Sequence, residues 1–352
     1  MNEKKHYLQI DILKGLAILA VIVLHTIPGN LVRNPLSIFT VYQAVPIFFV
    51  IMGLNAAMSF KRHNYLTLDK MYNKNYIKSR FERLFYPFIV IFILSGVFGI
   101  LLQKSLYIGI LNILGYLPLS GPGNYFISIA FQFVFVFPLL YYLYKKNPNL
   151  ILILSFVLSF VFEMVANQIP VLENNSYLYK ACILRYFFII ALGIWAADNF
   201  DINNLRTILK RKFIIIGLIV SVVYMITVSV FNWNLTYFQP AWQPQTVLSF
   251  FYPLIICLVG LRYLPSSAGK ISSLMGFIGK ASYHIFLVQI LFFGAGISMA
   301  PIIGKLGLQH IYNLYLLGIM ALIGNILILV MLGSLFFILE NKIRKRRKCD
   351  KN

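Results

Sequence analysis

The sequence contains few charged residues, and acidic residues are the rarest of them. Only 12% of its 352 residues are charged, and Asp and Glu together number 10, whereas about a quarter of the residues in a soluble domain are charged. Hydrophobic residues make up 60% of the chain, and its mean hydropathy is +0.80. This composition argues against an ordinary soluble domain. It predicts an all-α, polytopic integral membrane protein in which a single domain, 1–352, uses the whole chain.

Cysteine is also scarce, and the common catalytic motifs are absent. Cys182 and Cys257 fall in apolar runs and Cys349 falls in the basic tail, so we expect no disulfide framework and no metal site. The sequence contains no H-E-x-x-H, no G-x-S-x-G and no Walker motif. The first apolar run is not followed by an A-x-A-like cleavage site, so we expect it to be retained and not removed as a signal peptide.

Apolar runs of spanning length recur along the chain and predict about ten transmembrane helices. No pair of broken, inversely related spans is evident, which counts against a secondary transporter. The stretch 103–123 contains an apolar piece, Ile108 to Leu117, that is too short to span and indicates a re-entrant or interfacial segment. The predicted spans are 10–28, 37–58, 84–102, 124–144, 150–166, 181–197, 213–231, 245–264, 282–300 and 311–339.

Basic residues concentrate in the loops on one side of these spans. A net charge of +21 would suggest nucleic acid in a soluble protein, but the positive-inside rule explains it here, so we expect no nucleic-acid partner. Both chain ends, including the basic tail 340–352, and the loops after the even-numbered spans carry most of the Lys and Arg. The asymmetry predicts that both termini are cytoplasmic. The opposite loops carry only Arg33, Lys104, Lys180 and Lys305.

The first span contains three ionisable residues, Asp11, Lys14 and His25. Each such group costs roughly 2.5–3.5 kcal/mol within a span, so such groups are usually functional. Lys14 and His25 are eleven positions apart, which puts them about 20° apart around a helix and roughly 16 Å apart along it. Alternatively, Asp11 and Lys14 reach the headgroups by snorkelling and His25 is an interfacial residue.

Two further pairs of ionisable residues have both a structural and a functional interpretation. Arg80 and Arg83 share a helix face at the cytosolic end of the third span, where they either anchor the topology or hold phosphate groups. Glu163 lies in the fifth span and Arg185 in the sixth, so we expect them to pair or to face a water-filled cavity. Such a pair is either purely structural or in contact with substrate. We interpret His284, in the ninth span, as a packing residue.

Several stretches of the sequence resemble the acyltransferase-3 family of integral membrane acyltransferases. The first span reads D-x-x-K-G-x-A-x-x-x-V-x-x-x-H, with Lys14 where that family usually has Arg. Tyr125 stands where Trp is common, and Gln289 stands where His is frequent. The resemblance covers a core of about 7–338. The other matching stretches are Arg80–Pro87 (R-x-x-R with an aromatic and Pro), Gly121–Ile127, Arg185–Gly193 and Gly279–Gln289 (G-K-x-S-Y).

The resemblance implies a multi-pass acyltransferase of a prokaryotic plasma membrane. It would move an acyl group, most often acetyl, from cytosolic acyl-coenzyme A (acetyl-coenzyme A) to a hydroxyl of an envelope or exported carbohydrate. The alternative is an exporter or flippase of a glycan or lipid-linked intermediate. Membrane lipid, acyl-coenzyme A and a glycan acceptor are the expected partners; the acceptor, the acyl chain length and the oligomeric state stay open.

The resemblance also assigns roles to individual residues. His25, with Lys14, is the catalytic candidate, either as a general base for the acceptor hydroxyl or as an acyl carrier. Lys14, Arg80 and Arg83 would bind the phosphates of the acyl-coenzyme A cosubstrate. The candidates for substrate binding are Asn124, Tyr125, Glu163, Arg185, Tyr283 and Gln289.

Overall fold

The computed structural model describes residues 7–27, 34–199, 205–299 and 314–349 of the chain. These residues contain helices and no strand, so the prediction of an all-α polytopic membrane bundle is confirmed. Residues 28, 300 and 311–313 of the predicted spans lie outside the described residues, as do Arg33, Lys305 and 350–352 of the basic tail. The main helices are α1 (Leu8–Thr26), α2 (Ala44–Arg62), α3 (Lys74–Leu101), α4 (Tyr125–Lys146), α5 (Pro148–Ala166), α6 (Phe187–Asn199), α7 (Lys212–Val230), α8 (Phe251–Tyr263), α9 (Lys270–Gly294) and α10 (Leu314–Cys349).

Helices α6 and α8 are shorter than the rest of the bundle. Each has 13 residues, whereas a membrane crossing needs roughly 20. Each is entered through 3-10 segments, so the predicted spans 181–197 and 245–264 are both discontinuous. Both helices run in the same direction, so they are not an inverted pair. The short segments are Pro35–Phe39, Val41–Gln43, Leu68–Met71, Ile110–Asn112, Pro170–Glu173, Ser176–Ala181, Ile183–Tyr186, Leu205–Leu209, Pro240–Gln245 and Val247–Ser249.

Helix α5 has the inverted polarity of a membrane helix. Its outward face is apolar, with Ile153 62% and Val161 47% exposed. Its inward face carries Ser155, Ser159 and Glu163, which are buried and spaced four residues apart. Because water is absent from the bilayer core, such polar groups need partners inside the protein. The inward face of α5 therefore marks where the bundle is polar.

Glycines allow two pairs of helices to pack backbone against backbone. A Cβ added to Gly15 of α1 would lie 3.4 Å from the backbone nitrogen of Gly279 in α9. A Cβ added to Gly193 of α6 would lie 3.1 Å from the Cα of Gly53 in α2. Small residues are favoured at such crossings because they let the backbones approach closely. The contact of Gly15 with α9 fixes the rotation of α1 about its axis, and with it the direction of the face that carries Lys14 and His25.

The direction of α10 places both ends of the described chain at one face of the bundle. Asn325, in the first half of α10, donates to the hydroxyl of Thr26 at the end of α1, 3.4 Å away. Arg344, near the end of α10, donates to the carbonyl of Glu82 at the start of α3, 2.6 Å away. Helix α10 therefore runs antiparallel to α1. We call the side where α1 begins and α10 ends the terminal face, and the other side the opposite face.

Candidate active site

His25 occupies the last turn of α1 at the opposite face. A Cβ added to Gly123 would lie 3.6 Å from the Nε2 atom of His25, so the backbone at Gly123 passes directly beside the imidazole. Gly123 has φ +89°, a conformation that favours glycine. The ring is partly exposed, and within the described part of the chain no protein group hydrogen-bonds it. Both ring nitrogens therefore have hydrogen-bonding capacity for a ligand or for water.

Two predicted substrate-binding residues hold the loop that passes beside His25. The amide of Asn124 accepts from the backbone N–H of Leu117 at 3.1 Å and donates to the carbonyl of Gly115 at 3.1 Å. Gln289 of α9 donates to the carbonyl of Pro122 at 3.4 Å. Both residues lie on the His25 side of the bundle, and these contacts position the loop backbone. Their direct contact with substrate stays a prediction.

An aromatic and cationic group lies next to this loop. The ring of Tyr125 meets the ring of Trp242 edge to face, with the centroids 5.8 Å apart. The Lys180 ammonium lies 5.0 Å from the centroid of Trp242 and 5.9 Å from that of Tyr125. Sequence reasoning missed Trp242 and gave Lys180 no role beyond its loop charge. The signal was the rarity of cations in the loops of the opposite face.

Glu163 and Arg185 form a fully buried ion pair, which is one of the two arrangements that the sequence left open. The Nε atom of Arg185 donates to Glu163 Oε1 at 3.2 Å, and neither side chain is exposed to solvent. A second guanidinium nitrogen donates to the carbonyl of Gln245 at 3.0 Å, and Glu163 Oε2 accepts from the backbone N–H of Val247 at 3.0 Å. The pair therefore also bonds the backbone between the two 3-10 segments that lead to α8. Its predicted contact with substrate remains untested.

The segment that leads to α6 is held in the same way by neighbouring helices. The hydroxyl of Ser159 donates to the carbonyl of Leu184 at 2.9 Å and accepts from the backbone N–H of Phe188 at 3.2 Å. The amide of Gln132 bonds the backbone on both sides of Cys182. Irregular backbone at membrane depth is tolerated only where the protein supplies the missing partners. These side chains supply them here.

The predicted donor-side residues all lie towards the terminal face. Lys14 pairs with Asp11 across one helical turn, with 2.7 Å between Nζ and Oδ1. The Arg80 guanidinium lies 5.7 Å from the ring centroid of Tyr76, and Arg83 is exposed. Helix α9 packs against both α1 and α3, so it connects Lys14 with the arginine pair. The structure thus separates these cations from His25.

A cavity of ≈340 Å³ opens between the start of α1 and α9 near Asp11. Its wall combines one cation with hydroxyl and apolar groups, which is a surface that can accept a polar ligand with an anionic part. The lining residues are Leu8, Ser266, Ala268, Ser273, Gly276, Phe277 and Lys280.

A second ionic cluster joins α3, α9 and α10 near the terminal face. The carboxylate of Glu340 contacts both His284 Nε2 and the guanidinium of Arg344. Tyr283, a predicted substrate-binding residue, donates instead to the carbonyl of Leu84 at 3.0 Å. The interpretation of His284 as a packing residue is therefore incomplete. The signal was the i, i+4 spacing of Glu340 and Arg344, in a region with few acidic residues.

The bundle and its buried polar groups define a polytopic membrane protein with a polar site inside the helices. The family model described as an acyltransferase domain, Acyl_transf_3, matches residues 7–339 of the 352-residue chain. The chain belongs to this acyltransferase-3 family and is a multi-pass membrane acyltransferase. Comparisons with curated proteins and with solved structures gave no match.

Proposed function

We propose that the protein transfers an acyl group, acetyl first among them, from cytosolic acyl-coenzyme A to a hydroxyl of an envelope or exported carbohydrate. The membrane is the plasma membrane of a prokaryote. The observation that carries the proposal is the polarity of α1: Lys14 lies near the terminal face, and His25, with no protein partner among the described residues, lies near the opposite face. One helix thus links a donor side with an acceptor side.

The donor side supplies positive charge for the phosphates of coenzyme A. Arg83 is exposed, Arg80 lies one turn away, and Lys280 lines the terminal-face cavity beside α1. Hydrogen bonds from Arg or Lys to phosphate are charge-assisted and stronger than neutral ones. The thioester arm would then extend along α1 over roughly 16 Å, which is the rise from Lys14 to His25.

The acceptor side supplies a proton acceptor for a weakly nucleophilic hydroxyl. Acting as a general base, His25 takes the hydroxyl proton as the acceptor oxygen forms a bond to the thioester carbonyl carbon. The carbon–sulfur bond then breaks, and the departing thiolate takes the proton back from the imidazolium. Alternatively, a ring nitrogen of His25 attacks the thioester carbonyl carbon, the carbon–sulfur bond breaks, and the coenzyme A thiolate leaves with the proton of the imidazole. The acceptor hydroxyl then attacks the acyl-imidazole, the carbon–nitrogen bond breaks, and the freed ring nitrogen takes up the hydroxyl proton. The two routes use the same residue.

The rival function, export of a glycan or lipid-linked intermediate, is favoured by one observation. Helices α6 and α8 are discontinuous, as in many transporters. They run in the same direction, however, and their irregular segments are bonded by Gln132, Ser159, Glu163 and Arg185. Membership in an acyltransferase family adds to the case for transfer.

The test uses purified protein in lipid vesicles with labelled acetyl-coenzyme A and envelope glycans. We expect label to appear covalently on the glycan and to require both protein and donor. Movement of unmodified glycan across the vesicle, with no covalent label, would instead establish the exporter.

The assignment of the terminal face to the cytosol has its own experiment. Single cysteines at 70 and 236, introduced in a variant without the three native cysteines, are exposed to an impermeant thiol reagent in intact cells. The 232–244 loop contains no charged residue, and the positive-inside rule places it outside. We expect labelling at 236 and none at 70; the reverse pattern would exchange the donor and acceptor sides.

A further inference from the structure

Lys180 lies in the short helix Ser176–Ala181 at the opposite face, where loop cations are rare. Its ammonium is 5.0 Å from the ring centroid of Trp242 and 5.9 Å from that of Tyr125. All three belong to different segments of the chain, since Tyr125 begins α4 and Trp242 lies in the 3-10 segment Pro240–Gln245. Lys180 and Trp242 are both partly exposed. The fold therefore presents a cation beside two aromatic rings that contact each other, at an accessible surface.

No carboxylate among the described residues lies within ion-pairing distance of Lys180. The nearby charge that acts on it is the like charge of Arg185. Burial, and then Arg185, lower the pKa of Lys180, which means that the protein around it disfavours the ammonium form. The carboxylate of Glu163 is already engaged by Arg185 and by the backbone of Val247. Among the described residues, the ammonium of Lys180 thus meets aromatic rings but no carboxylate.

Tyr125 follows directly on the Gly123–Asn124 stretch, which passes beside the imidazole of His25. Lys180 with its two aromatic rings and His25 therefore border one region. An anionic group bound at Lys180 would compensate the charge of the ammonium at the border of that region. The arrangement is therefore matched to a ligand that brings negative charge.

We propose that Lys180, Trp242 and Tyr125 form a subsite for an anionic group, a carboxylate or a phosphate, carried by the glycan acceptor. The ammonium binds the anion through a charge-assisted hydrogen bond. The ring of Trp242, which is partly exposed, packs against the apolar face of the adjoining sugar. That the ligand is the acceptor rests on the proposed function; that the subsite binds an anionic sugar does not.

The experiment measures binding without acyl transfer. Trp195 and Trp233 are replaced by Phe, which leaves Trp242 as the only tryptophan of the three, and its fluorescence is followed in lipid nanodiscs without acyl-coenzyme A. The probes are methyl glucuronoside, methyl glucoside 6-phosphate and neutral methyl glucoside. We expect saturable binding of at least one anionic probe, roughly 10- to 100-fold tighter than that of the neutral sugar, the range for a charged hydrogen bond. The probe that binds tighter identifies carboxylate or phosphate.

Variants of Lys180 then assign the preference to its charge. Lys180→Gln should abolish the difference between the anionic and neutral probes, and Lys180→Arg should retain most of it. Lys104→Gln, at another cation of the opposite face, should leave the preference intact. Equal binding of charged and neutral sugars by the parent protein, or an unchanged preference in Lys180→Gln, overturns the subsite. Anion-selective binding in a protein that transfers no acyl group would support the subsite and discard the proposed function.

Discussion

Arg185 and Lys180 are cations beside the same ring, yet their surroundings differ. The Arg185 guanidinium lies 5.5 Å from the ring centroid of Trp242 and the Lys180 ammonium 5.0 Å. Arg185 is fully buried and is bonded to Glu163 and to backbone carbonyl oxygen. Lys180 is partly exposed and has no carboxylate partner among the described residues. A charge that is paired and hydrogen-bonded within the protein supports the fold, whereas a partly exposed charge without a carboxylate partner is suited to a ligand.

The terminal face shows the same contrast. Glu340 holds both His284 and Arg344, and Arg344 also bonds the carbonyl of Glu82 at the start of α3. Arg80 and Arg83 lie in the same helix as Glu82, and in the described part of the chain neither meets a carboxylate. The contacts of Glu340 and Arg344 therefore stabilise α3. Arg80 and Arg83 extend from this same helix without a carboxylate partner among the described residues.

The largest expected effect is at His25, which has no hydrogen-bonding partner among the described residues and to which we assign the chemical step. His25→Ala removes the proton or acyl acceptor, so we expect transfer to fall about 10²–10⁴-fold while donor binding persists. Product formation and labelled donor binding are measured on one preparation. His63→Ala, at an exposed histidine, is the control. Near-normal transfer by folded His25→Ala protein would remove the catalytic assignment.

The next largest effect concerns the stability of the protein, to which the buried Glu163–Arg185 ion pair contributes. Glu163→Gln leaves the buried Arg185 without its carboxylate, and breaking such a pair costs about 3–5 kcal/mol. Unfolding of the purified protein by denaturant should therefore shift strongly. Glu173→Gln, at an exposed carboxylate, and Lys180→Gln should each remain within about 0.5 kcal/mol of the parent. Equal losses for Glu163→Gln and Lys180→Gln would contradict the distinction between them.

A smaller effect is expected at Arg80 and Arg83 of α3, which have no carboxylate partner among the described residues. Arg80→Ala and Arg83→Ala each remove a charge-assisted contact to donor phosphate, so acyl-coenzyme A binding should weaken by roughly 10- to 100-fold. Lys78→Ala, at an exposed cation in the same helix, should bind as the parent does. If correctly inserted arginine variants also bind as the parent does, the pair serves only to anchor the topology.

The smallest effect is at Lys14, which already has a partner in Asp11. Lys14→Arg keeps the charge and introduces the usual residue of the family, so donor binding should stay within a few-fold of the parent value. Lys14→Ala should weaken donor binding, because it removes a cation from the donor side together with its ion pair to the buried carboxylate of Asp11. Donor titrations of the two variants check this. Similar weakening in both would show that the shape of the lysine side chain matters more than its charge.

The sequence predicted the class of protein and most of its helices, and it left Glu163 and Arg185 either paired or facing a water-filled cavity. Composition and run length suffice for helices, because lipid requires every span to satisfy its backbone internally. The discontinuity of α6 and α8 was not predicted. Distant side chains bond the carbonyls and amides of the 3-10 segments, so the sequence of such a segment is as apolar as that of a continuous span. Trp242 was also missed, because no local pattern distinguishes it.

The sequence by itself determined that this chain is a helical membrane bundle, and its motifs indicated the family. The spacing of Lys14 and His25 along one helix follows from helix geometry alone. Only the tertiary structure decided which charges are compensated. Glu163 lies 22 positions from Arg185 and 84 from Val247. Lys180 contacts Trp242, although α6 and α7 lie between the two residues in the sequence. Compensation depends on distances between groups that are remote along the chain, and helix packing sets those distances.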